Sequence, residues 1–488
     1  MSVLKKVVVF VVVLVMMASI AACTSPAAAP SASASAPASA AAPVESSAAA
    51  PSPAESSAAP SASPAAAEGK VFNIYCWNTE FQDRFTAYFE KAGKVPSDVK
   101  VNFIITPSQN NAYQNKLDAD LLSQGYKSTD EKIDMFLIEA DYAMKYVNSD
   151  ATLDIIGDVG LTQDDLKDQY KYTQEIATDT NGKLKATSWQ ATPGLFAYRR
   201  SIAKAVLGTD DPEQVQAQLS DWTKFDAIAE QMKAKGYKML SGFDDSYRTF
   251  SNNVSAPWVD ATGKIVIDPN IQKWVDQTKL YTDKGYNNKS VLWDSEGGTQ
   301  WASDQGPSSK VFGFFYSTWG INFTLLGNSL AKPESEGGKQ EVGNGIFGDW
   351  AVCEGPQNYY WGGTWICAAN GTDNLGLIKD IMKTLTCDPV TMKKITEDTQ
   401  DYTNNQTAMG ELASSDFKSA FLGGQNHIKL FAAAAPKISM KNISPYDQGC
   451  NESFQTAMHD YFRGKVTKEQ ALENFYKSVI EKYPNLTK

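Results

Sequence analysis

The side chains with chemical potential in this 488-residue chain are carboxylates, amides and indoles, and they gather where apolar runs end. Asn78 and Glu80 follow the run KVFNIYCW, Gln109 and Asn110 follow VKVNFIIT, and Glu139 and Asp141 follow DMFLI. Histidine occurs only at His427 and His459, and there is no Cys-x-x-Cys pair, phosphate-binding loop or dinucleotide fingerprint. That inventory leaves little for a histidine-assisted nucleophile or a His-rich metal site. It suits recognition instead, with carboxylates and amides exchanging hydrogen bonds and aromatic faces packing on apolar surface. Each candidate also has an ordinary structural reading. Asn78 or Thr79 would cap a helix beginning near Phe81, with Glu80 favoured at its N-terminus. Glu139 and Asp141 would cap the helix containing YAMKYV, and any tryptophan can simply fill a core.

The elements that must position these residues alternate. KVFNIYCW reads as a strand, FQDRFTAYFEKAG as an amphipathic helix and VKVNFIIT as a second strand. NAYQNKLDADLLSQ is a helix, KIDMFLIE a third strand and DYAMKYVNS a short helix. This β-α-β-α-β order predicts a parallel sheet with helices on both faces. Ligands of such sheets collect beyond the carboxyl ends of the strands, where the acidic residues lie. Further on, KATSWQATPGLFAYRRSIA predicts two short strands broken at Pro193-Gly194. SKVFGFFYSTWG is a buried strand, and GDWAVCEGPQNYYWGGTWICAANG is strand, Gly/Pro-rich crossing, strand. The C-terminal part is helical, with Thr467 as an N-cap for residues 468–482.

The N-terminus sets the compartment. Lys5 and Lys6 precede an apolar run from Val7 to Ala22, shorter than the ~20 residues of a membrane span. The run ends Ile20-Ala21-Ala22-Cys23, which resembles the bacterial lipobox, so residues 1–22 are expected to be a signal peptide and Cys23 the acylated anchor. Residues 23–68 are almost entirely Ala, Ser and Pro and cannot build a core. They are expected to form a lipid-anchored disordered linker, able to hold a folded body up to ~100 Å from the membrane. The net charge of −11, with no long basic run, argues against nucleic acid and anionic lipid as partners. Beyond Cys23 lie Cys76, Cys353, Cys367, Cys387 and Cys450, read mainly as small buried residues, with one bridge left open.

The lipobox, the low-complexity tether, the βαβ lobe, the Pro-Gly crossing before LFAYRR, then FFYSTWG and the glycine-rich YYWGGTW together resemble the extracellular solute-binding proteins of bacterial ABC importers. The carbohydrate-binding branch that includes the maltose-binding proteins is the most similar. The resemblance implies an α/β fold of two lobes, with hinge crossings and a ligand cleft between them. Lobe 1 would be residues 70–190 plus 357–402, and lobe 2 residues 194–354 plus 403–488. It implies a non-enzymatic, monomeric lipoprotein without cofactors or metal, held at the outer face of the cytoplasmic membrane. Such a protein would deliver a mono- or oligosaccharide to an ABC permease. The ligand residues it implies are Asn78, Glu80, Asn110, Glu139, Asp141, Trp189, Arg248, Trp258, Trp319, Tyr360, Trp361 and Asp447. Trp189 would lie at the cleft floor, and Trp319 and Trp361 would be stacking platforms. A secreted glycoside hydrolase using Glu80, Glu139 and Asp141, or a lipid-anchored sugar sensor or adhesin, is the alternative.

Overall fold

The computed structural model describes residues 69–293 and 298–488, so the expected signal peptide, the expected anchor Cys23 and the expected linker lie outside the described residues. Strand β1 (Val71–Cys76) is buried along nearly its whole length, as its continuous apolar character requires. Its one buried amide, Asn73, donates through its side chain to the carbonyls of Asp130 and Lys132 at 3.0 and 2.7 Å. Strand β2 (Lys100–Ile105) is an edge strand, and its exposed residues include Lys100, Asn102 and Ile105. Strand β3 (Met135–Glu139) completes the run of parallel strands, with Ile74 opposite Met135.

The expected βαβαβ unit is present, but the sheet is mixed rather than purely parallel. The returning strand β8 (Thr364–Ala368) pairs antiparallel with β3 on one side and with β4 (Ala186–Ser188) on the other, so it alone runs against the rest in the order β2-β1-β3-β8-β4. The reason is the direction of travel. β8 enters this sheet from the crossing beside the end of β3, with Glu139 opposite Thr364, and runs back along that strand. The second sheet is wholly antiparallel, in the order β6-β5-β7. Its strands are β5 (Gly194–Arg199), β6 (Gly313–Ser317) and β7 (Trp350–Cys353).

Helices pack on these sheets. α1 (Glu80–Phe85) buries Phe81 and Phe85 against the first sheet, and α2 (Ala112–Leu122) buries Tyr113 and Leu117. α3 (Ala143–Val147) follows a turn after β3, and α4 (Tyr247–Ser251) packs on the helix that follows it in the chain. α5 (Pro269–Lys284) starts at Asp268, whose side chain caps Asn270 N, and stops at Gly285, φ 69°. α6 (Leu375–Thr386) packs on β4, β8 and α1 of the first sheet's layer. α7 (Asp447–Phe462) and α8 (Lys468–Lys482) pack together, and Thr467 and Gln470 form a capping box at the start of α8. Trp258, Trp274, Phe454 and Phe475 form the apolar seam among α5, α7 and α8.

The segments joining the sheets lie side by side. Gly194 N donates to Tyr359 O at 2.8 Å and Trp361 N to Thr192 O at 3.1 Å. On the other side, Ala191 N donates to Tyr402 O at 3.1 Å and Asn404 N to Trp189 O at 2.8 Å. Residues 189–193 are therefore the middle ply of a three-ply connection. Cys76, Cys353, Cys367, Cys387 and Cys450 are all unpaired, and all but Cys387 are buried. Among the described residues, no helix is long and apolar enough to cross a membrane.

Candidate functional site

Beyond the carboxyl ends of β1, β2 and β3 lies a cavity of about 1120 Å³. β1 delivers Trp77, Asn78 and Glu80 to it, the turn after β2 delivers Gln109 and Asn110, and β3 delivers Glu139. The joining segments add Gln190 and Trp361, and Trp293, Trp319, Phe323 and Glu452 complete the wall opposite.

Two of the carboxylates named from the sequence, Glu139 and Glu80, serve locally and also face the cavity. Glu139 Oε2 accepts the Asp141 backbone N–H at 2.8 Å, so it caps the turn Ala140–Tyr142. Burial, then the neighbouring Asp141 charge, push its carboxyl up to about 8 against the pull of Arg248. Asn78 Oδ1 accepts the Glu80 N–H at 3.0 Å, as the capping reading expects. Glu80 itself accepts from Gln190 Nε2 at 2.8 Å, and the same amide nitrogen lies 2.9 Å from Asp401 Oδ2. Burial, then Asp401, push Glu80 up to about 7, opposed by Arg84 at 3.8 Å.

The aromatic wall is built from the joining segment and the end of β6. Trp319 Nε1 donates to Trp361 O at 2.9 Å, and the two indoles meet edge to face with centroids 5.0 Å apart. Trp361 stacks on Tyr316 at 6.4 Å, and Trp293 on Trp319 at 6.3 Å. Gly362, at φ 71°, lets the backbone pass between Trp319 and Glu139. A Cβ there would stand 3.2 Å from Trp319 Nε1 and 3.5 Å from Glu139 Oε1.

The remaining candidates divide in two. Asp141, Arg248, Trp258, Tyr360 and Asp447 line a smaller neighbouring cavity of about 250 Å³. There Arg248 Nη1 and Nη2 grip the Asp141 carboxylate at 2.7 and 2.5 Å, joining the turn after β3 to α4. Burial, moderated by hydrogen bonds from Ser444, pushes Asp447 up to about 7. Trp258 packs in the α5–α7–α8 seam, and its indole N–H donates to Asn451 Oδ1 at 2.9 Å.

Trp189 is a correction. It is 1 % exposed and packs on Phe81 with centroids 5.4 Å apart, away from both cavities. It follows β4 directly, and its neighbour Gln190 takes the cavity-facing position instead. The sequence reading missed Trp77, Gln190, Trp293 and Glu452. Trp77 was recoverable, since it directly precedes Asn78 at a strand end. Glu452 lies inside α7 with no local signal, and Trp293 takes an unusual φ of 58° that no pattern announced.

Residues 84–420 match the family model for bacterial extracellular solute-binding proteins. An extracellular solute-binding protein of family 1 superposes with a TM-score of 0.66 at 17% identity, covering 84% of this chain and 99% of that one. An ABC-transporter-associated binding protein from B. animalis subsp. lactis, solved with β-1,6-galactobiose, gives 0.62 at 16% identity, covering 86% and 99%. The GacH receptor of Streptomyces glaucescens, studied unliganded and with acarbose, gives 0.62 at 13% identity, covering 86% and 100%. No curated protein sequence matches.

Proposed function

The chain belongs to the bacterial extracellular solute-binding proteins, and from that premise we propose that it captures a carbohydrate by lobe closure and delivers it to an ABC permease. The observation that carries this reading is the convergence of Trp77, Trp293, Trp319 and Trp361 with Glu80 and Glu139 on one cavity. Pyranose rings present C–H faces that pack on indoles and hydroxyl edges that carboxylates and amides can pair. An analogue lacking those hydroxyls would leave buried acceptors unpaired, which is the source of discrimination. The galactobiose and acarbose complexes of similar folds support the same class. The cavity exceeds the usual ~300–1,000 Å³ of small-molecule sites, which favours an oligosaccharide.

The lobes would be residues 70–190 plus 357–402 and 194–354 plus 403–488, hinged at the three-ply connection. Asn78, Glu80, Asn110, Glu139, Trp319 and Trp361 would contact the sugar directly. Asp141, Arg248, Tyr360 and Asp447 would act at the lobe interface beside it. The ligand shifts an existing open–closed equilibrium only as far as it binds the closed form more tightly than the open one. The chain would act as a monomer, moored through acylated Cys23 and the linker, and release its ligand chemically unchanged.

Intrinsic fluorescence and calorimetry across a panel of mono- and oligosaccharides test this reading. A saccharide should bind, and Trp319→Ala or Trp361→Ala should weaken that binding by ~1–3 kcal/mol without unfolding the protein. Unchanged affinity in both variants would remove the indoles from the site. New reducing ends after incubation would favour the hydrolase alternative.

A further inference from the structure

Resting on the carbohydrate reading, we propose that the saccharide selected by this cleft carries a free, protonated amine, as in an unacetylated hexosamine oligosaccharide. Among the described residues lining the large cavity, Glu80, Glu139 and Glu452 are acidic and no lysine, arginine or histidine is present. The bases behind that lining are outnumbered. Arg84 lies 3.8 Å from Glu80, Glu80 and Asp401 share the amide of Gln190, and Asp83 adds a further negative charge. Arg248 faces both Glu139 and Asp141, and its two-pronged bond goes to Asp141. In each group two carboxylates meet one guanidinium. Around Arg248 the carboxylate left without a full counter-charge, Glu139, is the one that faces the ligand, while Glu80 has Arg84 at 3.8 Å but also feels the nearby charge of Asp401. Glu452, 3.5 Å from Lys482, is the nearest to balanced.

Closure expels water from this space, and a buried anion without a partner is expensive. A neutral sugar supplies hydroxyl dipoles but no compensating charge, so Glu80 and Glu139 would have to take up protons instead. Their raised pKa values express that same tension. An ammonium group on the sugar ring removes it. The indoles reinforce the preference, because Trp77, Trp293, Trp319 and Trp361 present electron-rich faces that attract a cation as well as a C–H surface.

The discriminating ligands differ at one atom position. Glucosamine oligosaccharides, their N-acetylated forms and the corresponding β-1,4-glucose oligosaccharides share a backbone and differ at C2. Glucosamine, galactosamine, glucose and galactose provide the same contrast at the level of one ring. Calorimetry at pH 6.5, where the sugar amine is protonated, should show an amine-bearing member binding at least tenfold tighter than both neutral counterparts, and the preference should shrink at pH 9 as the amine loses its proton. The Glu139→Gln variant keeps an acceptor for the Asp141 N–H, and Glu80→Gln keeps one for Gln190. In either variant the ratio of amine to neutral affinity should fall to threefold or less, whatever the change in absolute affinity, and far-ultraviolet circular dichroism should show the variant folded. Equal or tighter binding of the neutral series would overturn the inference and leave the carbohydrate reading standing. If no saccharide binds, or only the linear polyamine spermidine does, both fall.

Discussion

Asp141 lies two residues beyond Glu139, yet the two side chains work in different spaces. Glu139 faces the large cavity, while Asp141 is tied to Arg248 of α4, with both partners about one-sixth exposed. Removing one partner of such a pair leaves the other charge poorly solvated, so its loss exceeds that of a surface pair. Arg248→Ala should therefore favour the open form of the ligand-free protein, seen as a larger radius of gyration in solution scattering. It should also weaken ligand binding by ~1–3 kcal/mol. Identical scattering and affinity would show that the pair does not hold the lobes together. The sequence made the position of Asp141 legible through its place at a strand end. Its partner was not legible, because an ion pair between residues 107 positions apart leaves no local trace. Trp189 failed for a related reason. Burial of an aromatic depends on what packs above it, and Phe81 of α1 occupies that place.

At the scale of elements, strand order along the chain was readable from apolar runs bounded by Gly, Pro and Asn. The strands β1, β2, β3, β5, β6, β7 and β8 fall where those runs lie. Sheet order was not readable, because the pairing of β8 between β3 and β4 joins segments more than 170 residues apart. The Pro193-Gly194 break has a clear physical role. A Cβ on Gly194 would fall 2.1 Å from the ring of Tyr359, whose hydroxyl lies 2.6 Å from Tyr316 O. The ring fills the space that the missing side chain leaves and fastens the start of β5 to β6. Gly194→Ala should destabilise the protein by ~1–3 kcal/mol through this overlap. Chemical denaturation would check it, and a midpoint unchanged within error would mean that Tyr359 can move aside freely.

For the molecule as a whole, several buried carboxyls share one pH signature. Burial raises Asp245 and Asp447 to about 7 each, and Glu80 and Glu139 are raised in the same direction. These groups hold protons in the folded state that they release at ~4 when unfolded. The folded state therefore binds more protons between those values, and its stability falls as pH rises through them. His427 has the opposite sign, since burial lowers it to about 4, so its effect ends near pH 6.5. The ligand-free protein should thus melt several degrees lower at pH 8 than at pH 6, and Asp245→Asn should flatten part of that slope. A flat profile would contradict the assigned burial of these acids.

The unpaired cysteines reach further than their packing. Burial raises the thiols of Cys76, Cys353 and Cys450 to about 12 and that of Cys387 to about 11, so each stays protonated and inert while the chain is folded. The described body holds no disulfide, so no sulfur–sulfur bond has to form or break for these five side chains to take their places. Its sulfur becomes reactive only when the fold comes apart, which makes alkylation of these side chains an internal record of every excursion from the native state.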